Sequence, residues 1–310
     1  MTIKKMYKTP LRYPGGKSRE MNYLLPQMPE IITEFRDSFV GGGSVFLSAM
    51  KEYPDADFWI NDAYYNLYCF WKELRDNGDG LVEILTDLKT KNIELMTKSE
   101  IKEHLKECGI SGKEKSQFYK DQTQSARALF NHAKEKINDS SIEDIMRATY
   151  FYILNKCSFS GLTETGTFSS QASIQNFSEA SIKKLLQISH TIQNVKITNL
   201  NYNETFSNVS GGTFIFLDPP YDIGKQNVLY GKNGEIHAAF EHDKFAKDCK
   251  IIESNFMITY NNSDANNQRF SDFTCSPWSL KYGMRIVENS SGKIMAKDHT
   301  DNELLIVNYY

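Results

Sequence analysis

Asp218-Pro219-Pro220-Tyr221 gathers a carboxylate, a free carbonyl and an aromatic ring within four residues. Two consecutive prolines remove two backbone donors, so the carbonyls beside them cannot all be consumed by a neighbouring strand. The group suits an exocyclic amine: two acceptors take its N–H bonds, and the ring stacks on the flat heterocycle that carries it. Asp-Pro alone also ends ordinary strands. Here the tetrad follows Gly211-Gly212-Thr213-Phe214-Ile215-Phe216-Leu217, a glycine turn and a β-branched and aromatic run that reads as a buried parallel strand. Open α/β sheets place their ligands just past such strand ends.

A second constellation lies upstream. Phe39-Val40-Gly41-Gly42-Gly43-Ser44 follows a predicted short strand at Phe35 and opens a predicted helix. Three glycines let the backbone pass close under a ligand, and the helix N-terminus aims its amides at that ligand's polar end. The next predicted strand, Phe58-Trp59-Ile60, ends in Asn61-Asp62. An acid about twenty residues past a glycine turn is placed to bond ribose hydroxyls. Glycine turn plus acid therefore point to a nucleoside-bearing cofactor. The nicotinamide fingerprint G-x-G-x-x-G is not met, and Tyr13-Pro14-Gly15-Gly16-Lys17-Ser18 lacks the G-x-x-x-x-G-K spacing of a P-loop.

The elements that must position these residues alternate between strand and helix. Further short strands are predicted at 196–202 and 256–260, a helix at 242–253, an amphipathic stretch from Ser18 to about Glu34, and an edge-like alternating strand at 303–310. Between Ala63 and about Tyr150 the pattern is helical, with stretches at 67–74, 80–91, 99–107, 124–137 and 141–155. The expected organisation is an α/β fold with residues 1–66 and 151–310 forming the catalytic part and 67–150 a helical insertion, which either reads a groove or caps the domain. His237 and His242 do not share a helix face, so no metal site is expected.

The chain has 310 residues, 40% hydrophobic and 24% charged, enough for a full core. No apolar run is long enough to span a bilayer, and the opening residues lack a secretory pattern, so an intracellular location is expected. The five cysteines show no C-x-x-C pairing, which indicates neither a disulfide framework nor a zinc site. Net charge is −3, yet Lys4, Lys5, Lys8, Arg12, Lys17 and Arg19 face only Glu20, and the 281–297 segment holds Arg285 and Lys293 against Glu288. These are candidate phosphate contacts, or simply solvated basic edges.

Taken together, these motifs resemble those of the D12 class, Dam-like DNA adenine-N6 methyltransferases, over nearly the full length. Tyr13-Pro14-Gly15-Gly16-Lys17 is similar to the family's N-terminal motif, Phe39-Val40-Gly41-Gly42-Gly43 to its F-x-G-x-G, and Asp218-Pro219-Pro220-Tyr221 to its catalytic tetrad. Glycine motif before tetrad, with helices between, is the order of the alpha group. Ser38 stands where the family often has proline, and Asn201 where an acid is common.

The resemblance implies a Rossmann-like methyltransferase sheet with helices on both faces and an inserted DNA-recognition domain. It implies catalytic roles for Asp218, Pro219, Pro220 and Tyr221. It places S-adenosylmethionine against Tyr13, Lys17, Phe39, Gly41, Gly43, Ser44, Asp62, Asn201 and Asp218, and DNA against Lys156, Ser158, Tyr230, Lys281 and Arg285. Implied partners are double-stranded DNA and a candidate cognate restriction endonuclease, with a monomer or weak dimer in the cytoplasm and no membrane. The alternatives are N4-cytosine methylation, whose amine fits the same acceptors, a catalytically silent DNA-binding protein, and a nicotinamide oxidoreductase.

Overall fold

The computed structural model describes residues 8–92, 98–222, 240–288 and 294–309. Five parallel strands, β1 (Glu34–Asp37), β2 (Asp57–Asn61), β3 (Lys196–Thr198), β4 (Thr213–Leu217) and β5 (Asn255–Asn261), join an antiparallel ribbon, β6 (Thr274–Glu288) and β7 (Ile294–Val307), in one sheet of order β3-β2-β1-β4-β5-β7-β6. The strand order reverses between β1 and β4, so a crevice opens beyond their carboxyl ends.

β4 is buried at every position, and apolar from Phe214 to Leu217, because both faces are covered. Phe214 and Phe216 enter one core with Phe35, Phe46 and Trp71, whereas Ile215 and Leu217 enter another with Phe245, Phe256 and Ile258. The 303–310 stretch is not an edge strand: β7 lies between β5 and β6, and Leu304, Leu305, Ile306 and Val307 are buried. The edge belongs to β6, whose mixed Thr-Cys-Ser-Pro start hides its strand character and whose Pro277 is tolerated there.

The amphipathic stretch after Lys17 shrinks to α1 (Met21–Leu24) and a 3₁₀ turn, Leu25–Gln27. Pro26 and Pro29 stop a longer helix. α2 (Ser44–Glu52) follows the glycine turn. The helical stretch contains α3 (Tyr65–Asp76), α4 (Gly78–Asn92), α5 (Lys98–Glu107), α6 (Gly112–Gln122), α7 (Gln124–Lys136) and α8 (Asp144–Cys157). Serine N-caps at Ser169 and Ser178 start α9 (Ser170–Asn176) and α10 (Glu179–Thr191). α11 (His242–Cys249) and α12 (Asp264–Arg269) complete the helices. Phe70 and Trp71 of α3 and Phe151 and Tyr152 of α8 share the core of the sheet, while Ile101 and Leu105 of α5 pack with Ile174 in a small separate cluster. No helix among the described residues is long and apolar enough to cross a membrane.

Candidate active site

A cavity of about 460 Å³ lies over the switch point, lined by Tyr13, Lys17, Asp37, Phe39, Gly41, Asp62, Asn201, Tyr202, Asp218, Pro219, Tyr221 and Phe240, among others. Three strand ends each supply one of its carboxyl groups: β1 gives Asp37, β2 is followed by Asp62 and β4 by Asp218.

The glycine turn is shaped by close neighbours. Gly41 and Gly43 take positive φ, 48° and 76°, and a Cβ on Gly43 would come within 2.6 Å of Phe46 and Trp71. A Cβ on Gly42 would approach Tyr13 to 2.7 Å, so Tyr13 lies directly on the turn. Only residues without a side chain pass here.

Asp62 is bound to this turn. Gly41 N–H donates to its Oδ2 and Tyr64 N–H to its Oδ1, both at 3.0 Å. Burial nevertheless pushes its carboxyl up to about 6, with the two amide bonds opposing the shift. The adjacent Asn61 is structural: its amide donates to Ser38 O and Leu200 O, and its Oδ1 accepts from Leu200 N–H and the Thr198 hydroxyl. All four of its bonding positions are used to tie the ends of three strands together.

Asp37 was not singled out in the sequence, although it ends a strand as Asp62 and Asp218 nearly do. Its Oδ1 accepts from Phe39 N–H at 3.3 Å, and burial, then the nearby Asp218 carboxylate, hold its carboxyl well above the usual range. Phe39 stacks on Tyr202 with ring centroids 5.5 Å apart, and Phe240 meets both rings, giving the cavity an aromatic end. The loop carrying Tyr202 is held by the buried Arg36, whose guanidinium donates to the carbonyls of Thr205, Ser207 and Asn208. Asn201 lines the cavity next to Tyr202, and its backbone N–H donates to Glu204.

The tetrad lines the same cavity. Asp218 Oδ1 accepts from the Thr259 hydroxyl at 2.7 Å and pairs with the Lys17 ammonium at 2.9 Å. Burial opposes the charge on Lys17, but the carboxylates of Asp218, Glu20 and Glu303 outweigh it and raise its pKa above the ordinary value. Lys17 also lies 4.9 Å from the centroid of the Tyr221 ring and donates to Gly15 O. The Tyr221 hydroxyl donates to Glu303 on β7; burial, then the charges of Asp218 and Glu303, keep that phenol protonated far beyond its usual range. Thr259 and Glu303 carry no motif signal, since a threonine in a strand and a lone acid beside leucines read as ordinary strand residues.

The proposed DNA-facing residues fall into three groups. Lys156 and Ser158, at the end of α8, are buried, and Ser158 is wholly inaccessible, so its side chain presents no surface to DNA in this conformation. Its neighbour Phe159 is 66% exposed, on a turn where Ser160 adopts φ 57°. Burial, then the neighbouring Arg12 charge, lowers the Lys156 ammonium to about 8. Asn155 fixes this turn to the N-terminal segment: its amide donates to Arg12 O and Gly161 O, and its Oδ1 accepts from Arg12 N–H. Lys281 and Arg285 lie on β6 opposite Thr300 and Lys297, past the point where β5 ends at the Asn261–Glu303 pair. That stretch of ribbon extends beyond the carboxyl edge on which Asp218 sits. Tyr230, like His237 and the lysines at positions 4 and 5, lies outside the described residues. Among the described residues no group of three or more His, Cys, Asp or Glu could hold a metal ion.

The fold and site define an α/β protein with one cavity at its switch point, lined by the glycine turn, Asp62 and the Asp218 tetrad. Residues 13–284 match the model of the D12 class N6 adenine-specific DNA methyltransferases, and the chain belongs to that family. It is an enzyme, and its reaction is methylation of adenine N6 in DNA. Adenine thus prevails over N4-cytosine, and an enzyme over a silent binder. The chain is 21% identical to the type II methyltransferase M1.LlaDCHI of Lactococcus lactis subsp. cremoris, over 96% of this chain and 94% of that one. It is 24% identical to the type II methyltransferase M.MjaIII of Methanocaldococcus jannaschii over 68% of each. With the modification methylase StsI of Streptococcus sanguinis the identity is 27% over 75% of this chain and 31% of the relative.

Proposed function

We propose that the methyl donor is S-adenosylmethionine, and that the chain transfers its methyl group to an adenine flipped out of double-stranded DNA. The observation that carries this reading is one cavity lined both by Asp62 and the glycine turn and by Asp218 and Tyr221. The residues fit the donor. A turn that admits no Cβ gives close backbone approach, Asp62 can accept from ribose hydroxyls, and Phe39 with Tyr202 offers faces for a purine. The four lining carboxyl groups, Asp37, Asp62, Asp218 and Glu241, outnumber Lys17 and Lys244, which suits a cationic ligand.

When bound, the donor supplies an electrophilic methyl group on a sulfonium. Asp218 and the Pro219 carbonyl accept the two N–H bonds of adenine N6, whose lone pair is otherwise delocalised into the ring. Those bonds favour a pyramidal nitrogen and steady the positive charge that develops as the N–C bond forms. Tyr221 stacks on the extruded base, its ring held by the bond to Glu303. The base must leave the duplex because N6 is otherwise paired and the methyl must approach in line. As the N–C bond forms, the methyl–sulfur bond of the sulfonium would break to leave a neutral thioether, and the nitrogen would pass one proton to bulk water, restoring its neutrality.

The DNA contacts in this reading are Lys156, Lys281, Arg285, Tyr230 and the exposed turn at Phe159. Residues 67–150 form the target-recognition part, with α5 and α6 packed in a small cluster separate from the core of the sheet. The type II names of two relatives support a cognate restriction endonuclease as partner, with the chain acting in the cytoplasm as a monomer or weak dimer. The test is to incubate the purified chain with unmethylated plasmid DNA and labelled S-adenosylmethionine, digest to nucleosides and identify the product. N6-methyladenosine in its deoxy form is the expected product; absence of label together with no calorimetric binding of the donor would reject the reading. Sequencing of methylated bases then maps the site.

A further inference from the structure

Asp218 does not orient itself. β4 and β5 pair in parallel with Leu217 opposite Ile258, so the residues that follow, Asp218 and Thr259, come side by side. Alternation sends both to the same face, because Leu217 and Ile258 share the opposite core. Thr259 is fully buried, and its hydroxyl donates to Asp218 Oδ1 at 2.7 Å. The Lys17 ammonium reaches the same oxygen at 2.9 Å from a different segment. The Thr259 hydroxyl and the Lys17 ammonium both approach Oδ1, and Asp218 keeps 20% exposure at the cavity wall.

We propose that Thr259 is a positioning residue for methyl transfer, fixing Asp218 through Oδ1 so that Oδ2 faces the amine. The inference rests on the reading that Asp218 accepts an N6–H bond. Rotation of the carboxylate about its Cβ–Cγ bond would cost both donors at Oδ1, so two bonds from two directions define its plane. Lys17 alone cannot do this, since an ammonium on a flexible stem attracts from any direction. A hydroxyl on a β-branched side chain inside a strand is directional, because its χ1 is restricted. A valine would fill the same space without the bond.

The test compares Thr259→Val and Thr259→Ser with the wild-type enzyme on a duplex carrying the methylation site mapped from wild-type product. Thr259→Val is expected to lower the single-turnover transfer rate about ten- to hundredfold, the loss typical of one hydrogen bond to a charged group. Its dissociation constants for S-adenosylmethionine and for the duplex should stay unchanged. So should the fluorescence rise of 2-aminopurine placed at the target adenine, which reports base extrusion. Thr259→Ser, which keeps the hydroxyl, should recover most of the rate. A Thr259→Val enzyme that transfers at the wild-type rate overturns the proposal. So does a rate loss that serine fails to rescue and that tracks a lowered melting temperature, which would make the role structural alone. If the wild-type enzyme itself leaves no methylated adenine, the underlying reading of Asp218 falls and this inference with it.

Discussion

The Lys17 ammonium lies 2.9 Å from Asp218 Oδ1, so a glycine turn near the start of the chain neutralises the carboxylate that ends β4. The pair also binds two halves of the site. Lys17 extends the Tyr13 segment that covers the glycine turn, and Asp218 opens the tetrad.

Breaking this pair separates stability from chemistry. Asp218→Ala leaves Lys17 buried without its nearest counter-charge, at a cost of roughly 3 kcal/mol, the lower end for unpairing a buried charge because Glu20 and Glu303 remain near. Asp218→Asn keeps the volume and an acceptor for Lys17. Its melting temperature should stay nearer the wild-type value than that of Asp218→Ala. Its transfer rate should fall by at least about 10²-fold. Calorimetry of unfolding and single-turnover assays check the two expectations, and a near-wild-type rate for Asp218→Asn would remove Asp218 from the chemistry.

Donor binding should weaken in acid. Asp62 accepts from hydroxyls best when ionised, and burial raises its carboxyl to about 6. A raised carboxylate is protonated as pH falls through that value, so the dissociation constant for S-adenosylmethionine should rise below pH 6, approaching about tenfold per pH unit. Above pH 7 it should be flat with respect to this group. Asp62→Asn should bind weakly at every pH and lose the acid limb; isothermal titration between pH 5 and 8 measures both.

Binding of the donor should also release a proton. Asp37 is held well above the usual carboxylate range by burial and then by Asp218, which favours its protonated form. A cationic ligand in the same cavity favours the ionised form. Calorimetric enthalpies measured in buffers of different ionisation heat should therefore differ, with net proton release, and Asp37→Asn should abolish most of the difference. Buffer-independent enthalpies for the wild type would contradict the expectation.

Gly43→Ala should destabilise the fold. At φ 76° an alanine is strained, and its Cβ would sit 2.6 Å from the rings of Phe46 and Trp71. Strain and overpacking together should cost about 2–4 kcal/mol. Gly109→Ala is the control: its φ is also positive, 63°, but nothing lies within 4 Å of the added carbon, so only the conformational part remains. Thermal unfolding of the two variants gives the comparison.

Salt and pH should act jointly on DNA binding through Lys156. Burial, then Arg12, lowers its ammonium to about 8, so its charge fades as pH rises from 7 to 9. If it neutralises one phosphate, the slope of log affinity against log salt should shrink by about 0.9 over that range. Lys156→Met should show the smaller slope at both pH values. An unchanged slope in Lys156→Met would assign this lysine a packing role only.

The sequence alone determined the chemistry and the frame that carries it. Asp218-Pro219-Pro220-Tyr221, the glycine turn and Asp62 are local patterns, each readable because strand ends, prolines and glycines act on their immediate neighbours. The five parallel strands were legible for the same reason, as short apolar runs bounded by turns. β6 was not, because an edge strand with polar residues and Pro277 has no distinctive period. β7 was misplaced at the edge, because the order of strands depends on pairings between distant segments. Only the tertiary structure decided that Asp37 belongs with Asp62 and Asp218, that Ser158 is inside, and that Thr259 and Glu303 hold the tetrad. Each is a contact between residues far apart in the chain, set by register and by which face of a strand is covered, and no local spacing encodes it.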